Sequence, residues 1–121
     1  MTFREILARI VDPTPGAIAG AIMGADGIPL EEYGDGGSVD LNAVAVEFHA
    51  VLEQAAKVSG LLYGSSEGSL EELVLRTSHH QLLFRQIDSE YFVVIALGPD
   101  GMLGKARYLL TSLLCTLQEE L

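Results

Sequence analysis

The spacing of apolar positions changes along this chain, and each change predicts an element. In residues 2–11, TFREILARIV, the positions Phe3, Ile6, Leu7, Ile10 and Val11 recur every three or four residues, which predicts a short amphipathic helix. Asp12-Pro13 predicts its end, because the residue before a proline avoids the helical region. Residues 17–24, AIAGAIMG, are apolar on both faces of an extended chain, as in a central strand covered from both sides. The glycines and alanines in this run predict a closely packed neighbour. An Asp-Gly turn follows, and IPLEEY reads as the return strand of a hairpin. Pro29 cannot donate to a ladder, so this strand is expected at an edge.

The loop GDGGSVD leads to Asp40, the expected N-cap of a long helix over residues 41–58. Its apolar face is Leu41, Val44, Phe48, Val51, Ala55 and Val58. Asn42, His49, Glu53 and Lys57 make a polar stripe. Ala43, Val46, Ala50 and Ala56 lie between the two, and their size would let a second helix come close. Gly60 and Gly64-Ser65-Ser66 are expected to close the segment. Three strand-like runs follow, LEELVLRTS, QLLFRQID and EYFVVIALG, with joins short enough for hairpins. The third is apolar on both faces and should be central, with the other two further out. Residues 102–121 form a last helix with a stripe of Leu103, Ala106, Leu109, Leu110, Leu113, Leu114, Leu117 and Leu121. The order is helix, two strands, helix, three strands, helix. Covering both central strands on both faces predicts an α+β fold in α/β/α layers. It is a five-stranded antiparallel sheet with two helices on one face and one on the other. No internal repeat or linker divides the chain, so residues 1–121 are expected to form a single domain.

Charge narrows the function. The net charge of −10 includes only seven basic residues, and these are scattered singly along the chain. Phosphate backbones and anionic lipid reward clustered Lys and Arg, so nucleic-acid binding and membrane docking are not expected. No apolar run reaches the roughly 18–20 residues that a membrane span needs, so no direct insertion is expected either. The first ten residues lack a signal-peptide core. A single cysteine, Cys115, forms no internal disulfide and suits the reducing cytoplasm.

The stretch VVIALGPDGMLGKARYLL, residues 93–110, imitates a phosphate-binding loop: an apolar strand, glycines, Gly104-Lys105 and a helix. The likeness fails in its details. The spacing from Gly98 to Gly104 is one residue too long, and Pro99 occupies a position that needs glycine. Ala106 stands where a metal-binding hydroxyl belongs. The glycines are therefore expected to turn a buried strand tightly into the last helix, with Lys105 solvated. His79-His80 would point to opposite faces of a strand and suits an exposed hairpin turn better than a metal site. His49 belongs to a polar helix stripe, and Cys115 has no paired base beside it. No catalytic, cofactor or metal set assembles, and the expectation is a non-enzymatic interaction module.

Taken together, PGAIAGAIMGADGIPLEEY, the alanine-rich helix LNAVAVEFHAVLEQAAKV, the strand EYFVVIALG and the junction GMLGKARYLL resemble the Roadblock / dynein-light-chain family over nearly the whole chain. The resemblance implies a homodimer, or a heterodimer with another roadblock protein. In it two copies pair their third strands into one sheet and lay their middle helices side by side. Carried over, the dimer contacts are Ala43, Glu47, Ala50, Leu73, Leu75 and Arg76. The resemblance further implies a Ras-like small GTPase as partner. Bacterial members of this type regulate a polarity or motility GTPase, some as activating proteins. The partner positions on the matching helix are Asn42, Val46, His49, Glu53 and Lys57. The chain departs from some bacterial relatives in ending directly after the third helix, and no arginine occurs on the middle helix. Both features put activation in more doubt than binding. The alternative is a structural adaptor indifferent to nucleotide.

Overall fold

The computed structural model describes residues 1–24, 26–35, 39–63 and 70–121. Parts of the Asp-Gly turn, the loop before Asp40 and the Gly64-Ser65-Ser66 closure lie outside them. The elements are α1 (Phe3–Val11), β1 (Ala17–Gly24), β2 (Pro29–Gly34), α2 (Leu41–Tyr63), β3 (Glu72–Arg76), β4 (Gln81–Gln86), β5 (Tyr91–Leu97) and α3 (Leu103–Glu120). The strands form one sheet in the order β2-β1-β5-β4-β3, and every neighbouring pair is antiparallel. β1 and β5 are inner strands, and β2 with its proline is at an edge, as their patterns predict.

Alternation along the strands divides the core into two layers. On one side Ile22, Leu83, Val93, Ile95 and Leu97 pack under α1 and α3, against Ile6, Leu7, Ile10, Ala106, Leu110 and Leu117. On the other side Ala19, Ala21, Met23, Leu82, Phe84, Phe92, Val94 and Ala96 pack under α2. Gly20 explains how close α1 comes to the sheet. A Cβ there would stand 2.9 Å from Ile95 Cδ1 and 3.3 Å from the side chains of Leu7 and Val11.

α1 ends at Asp12-Pro13 as expected, although Asp12, its C-cap, keeps helical dihedrals (φ −61, ψ −43) and donates its N–H to Ala8 O. Three expectations are corrected. Gly60 does not close the middle helix, which continues to Tyr63. Val51 and Val58, expected on the core face of that helix, are exposed. Ala45 and Leu52 join Leu41, Val44 and Phe48 against the sheet instead. At the far end of α3, Leu121 is likewise exposed.

Candidate protein interface

α2 is fixed firmly, and its outer face is therefore a fixed surface. Asp40 caps its first turn, Oδ1 accepting from Ala43 N–H at 3.1 Å. Leu41 and Ala45 are buried, and Phe48 stacks on Phe84 with ring centroids 3.9 Å apart and planes 7° from parallel. The alanines of β1 and β5 on this side of the sheet let the helix sit close. The cavity beside Leu52, Leu73 and Phe84 holds only about 10 Å³, which is no room for a small ligand.

The outward surface of α2 resolves into two stripes. Asn42, Val46, His49, Glu53 and Lys57 follow one another at helical spacing and share one of them. All five reach solvent: Val46 is 64% exposed, and His49 Nε2 lies 3.2 Å from Glu53 Oε1, an ion pair when the imidazole is protonated. Ala43, Glu47 and Ala50 are exposed on the adjacent stripe. The same spacing carries that stripe on through Gln54 and Val58 to Leu61. Beside it stand Val51 and Leu62. This continuation was missed in the sequence. Val51, Val58, Leu61 and Leu62 are 46, 56, 81 and 74% exposed, and the signal that could have found the last two is the Leu-Leu pair directly after Gly60.

β3 adjoins this surface. It pairs with β4 through an unbroken register from Glu72↔Arg85 to Arg76↔Gln81, and among the described residues no strand lies on its other side. Leu73 is half-buried in the α2 core layer, whereas Leu75 and Arg76 are exposed, with Val74 beside them. The α2 stripe and, on the same side of the sheet, Leu73 and Leu75 thus occupy neighbouring parts of one face, whereas Arg76 by strand alternation shares the α3 side with Glu72, which pairs with Arg107. An aliphatic helix stripe of this size, left uncovered beside an open strand edge, has the physical form of a protein-binding surface.

The remaining candidates for chemistry are built into the fold. In the loop after β5 the amides point inward: Gly98 N–H donates to Gly16 O at 2.8 Å, Met102 N–H to Pro15 O at 2.9 Å and Lys105 N–H to Met102 O at 3.1 Å. Buried Gln81 donates from Nε2 to Gly98 O and Gly101 O, both at 3.0 Å. Gly16, at φ +82, lets this loop approach so closely that a Cβ on it would stand 2.4 Å from Gly101 Cα. Amides already committed to protein carbonyls do not cradle a phosphate. His79 and His80 sit in the β3–β4 turn, where Thr77 Oγ1 accepts from both their amides. Cys115 is exposed, and among the described residues no group of three or more His, Cys, Asp or Glu could hold a metal. Among the same residues no helix is long and apolar enough to cross a membrane.

Known proteins share this arrangement of sheet and helices. The chain is similar to MglC from Myxococcus xanthus, with 30% identity, a TM-score of 0.72 and full coverage of both chains. It shares its fold with an MglB in a tetrameric arrangement, at 18% identity and a TM-score of 0.81, covering 97% of this chain and 88% of that one. It also shares it with the gliding protein MglB from Thermus thermophilus, at 17% identity and a TM-score of 0.77, covering 91% of this chain and 81% of that one. Among curated proteins, no sequence matches. The Roadblock/LC7 domain model matches residues 4–96, from α1 into β5. Since that match spans well over half of the chain and reaches all five strands and the middle helix, the chain belongs to the Roadblock/LC7 domain family.

Proposed function

We propose that this chain is a dimeric, non-catalytic interaction module of the cytoplasm that binds and regulates a Ras-like small GTPase of the bacterial polarity or motility type. The observation that carries the reading is the outer face of α2, an anchored helix that offers an apolar stripe and a polar stripe side by side. One stripe serves self-association: Ala43, Glu47 and Ala50, continued by Val58 and Leu61, together with Leu73, Leu75 and Arg76 at the β3 edge. The pairing partner is a second copy or another roadblock protein. The tetrameric arrangement of a related fold supports self-association, and the gliding protein among the similar structures supports a motility setting.

The other stripe, Asn42, Val46, His49, Glu53 and Lys57, takes the GTPase. No arginine lies on α2, Arg76 is on the β3 edge, and Arg85 buries its Nε in β4. This distribution favours a platform that holds the GTPase over one that inserts an arginine to activate hydrolysis.

The test is affinity purification on the tagged protein from lysate of its own host, in the presence of a non-hydrolysable GTP analogue or of GDP. A Ras-like GTPase should be retained in a nucleotide-dependent manner, and Val46→Arg with Glu53→Lys should abolish its retention. A folded double variant that still binds normally would show that the wrong face is assigned. Partners that ignore the nucleotide would favour a structural adaptor.

A further inference from the structure

The sheet has two edges, and they are built differently. β3 is regular: its register with β4 is continuous, it contains no proline, and its outer rim presents Val74 and Leu75. β2 carries several obstacles to pairing. Pro29 has no N–H to give. The register between β1 and β2 slips at Ile22/Met23, which pair with Glu31 and Pro29 and leave Leu30 as an extra residue that bends the strand. Asp35 donates its N–H to Ile18 O, so by the alternation of an antiparallel ladder Glu32 turns its own backbone groups away from β1. Both of those outward groups are occupied. The Glu32 N–H donates to Glu31 Oε1 at 3.0 Å, and Arg4 Nη1 donates to Glu32 O at 3.1 Å. Arg4 is held there by Glu31 Oε1 at 3.8 Å and by the Tyr33 ring, with its guanidinium 5.2 Å from the centroid.

From this asymmetry we infer that Arg4, Glu31 and Pro29 form a guard on the β2 edge, and that the surface it closes is a latent pairing site for the β2 edge of another copy. The inference rests on the proposed pairing through β3. A dimer joined at β3 has a β2 strand at each end of its continuous sheet, so two unguarded ends would link dimers into an open polymer. The guard makes assembly stop at two copies. Arg4 reaches β2 from α1, so the first helix takes part in it although it lies on the far side of the sheet from α2.

The test compares the full chain with the variant Arg4→Ser/Glu31→Thr/Pro29→Val by sedimentation velocity over a range of concentrations, with circular dichroism to establish the native fold. The wild type should hold one discrete size, and the triple variant should give even-numbered species that grow with concentration. Adding Val74→Pro, which removes β3 pairing, should reduce the growing species to two copies. Pro29→Val alone and the Arg4→Ser/Glu31→Thr pair, run in parallel, keep the test decisive should the triple variant fold poorly, since each opens part of the guard. Native variants that keep the wild-type size at every concentration would overturn the guard while leaving β3 pairing intact. A monomeric wild type would overturn β3 pairing itself, and the guard would then be upheld by a triple variant that dimerises and overturned by one that does not.

Discussion

Gln81 holds the start of β4 to the loop between β5 and α3, and its replacement by leucine removes its two hydrogen bonds to the carbonyls of Gly98 and Gly101, which keep only the backbone N–H groups of Gly101 and Leu103. A hydrogen bond lost from carbonyls that remain otherwise satisfied costs about 0.5–1.5 kcal/mol. Gln81→Leu should therefore lower stability by about that amount, visible as a lower urea midpoint at an unchanged slope. Tyr33 gives a residue-level pH dependence. Its hydroxyl donates to both carboxylate oxygens of Asp12 at 2.8 Å. This hydrogen bond, followed by desolvation and the Asp12 charge, raises its pKa above the usual 10.0. The folded state thus holds the phenolic proton more tightly than the unfolded state does. The resulting stabilisation is complete below about pH 10 and is lost as pH climbs through the raised value. Denaturation of Tyr33→Phe across that alkaline range should show a smaller loss of stability with pH than the wild type does.

Among the elements, α2 separates what the sequence discloses from what it hides. Replacing Leu61 and Leu62 with serine should leave the helix content unchanged and weaken self-association at least tenfold, because two leucines well exposed in the single copy lose their burial against the partner. Sedimentation equilibrium gives the two constants. The strands were legible because β1 and β5 are apolar at successive positions, a pattern that only a strand covered on both faces needs. Pro29 likewise identified its strand as an edge. The end of α2 was not legible: one glycine costs a helix about 1 kcal/mol, too little to stop it at Gly60. Nor was the division of its apolar residues. Val51 and Val58 face solvent while Leu52 and Ala45 face the sheet, yet a side chain destined for the protein's own core and one destined for another chain have the same hydropathy. The stripe Asn42, Val46, His49, Glu53 and Lys57 was legible as a stripe, since helical spacing alone determines which residues lie side by side.

For the molecule as a whole, charge and association oppose each other. Each copy has a net charge of −10, so in the proposed dimer two copies would repel at long range while their aliphatic surfaces attract at contact. Salt screens the repulsion over about 10 Å at 0.1 M and leaves the apolar attraction in place. Dimerisation should accordingly tighten from low to moderate salt, the reverse of an interface built on opposite charges, and fluorescence titration of a labelled copy would measure the trend. The exposed end of α2 carries a further consequence inside a cell. A lone copy presents Leu61 and Leu62 on a folded surface much as an unfolded chain presents its core, and chaperones and proteases sort chains by such patches. If the proposed dimer forms, the lifetime of a lone copy would be tied to finding a companion, and surplus copies would be removed before they could occupy the proposed GTPase singly. On that proposal the abundance of this protein would be set at its own binding surface, by the supply of whatever covers it.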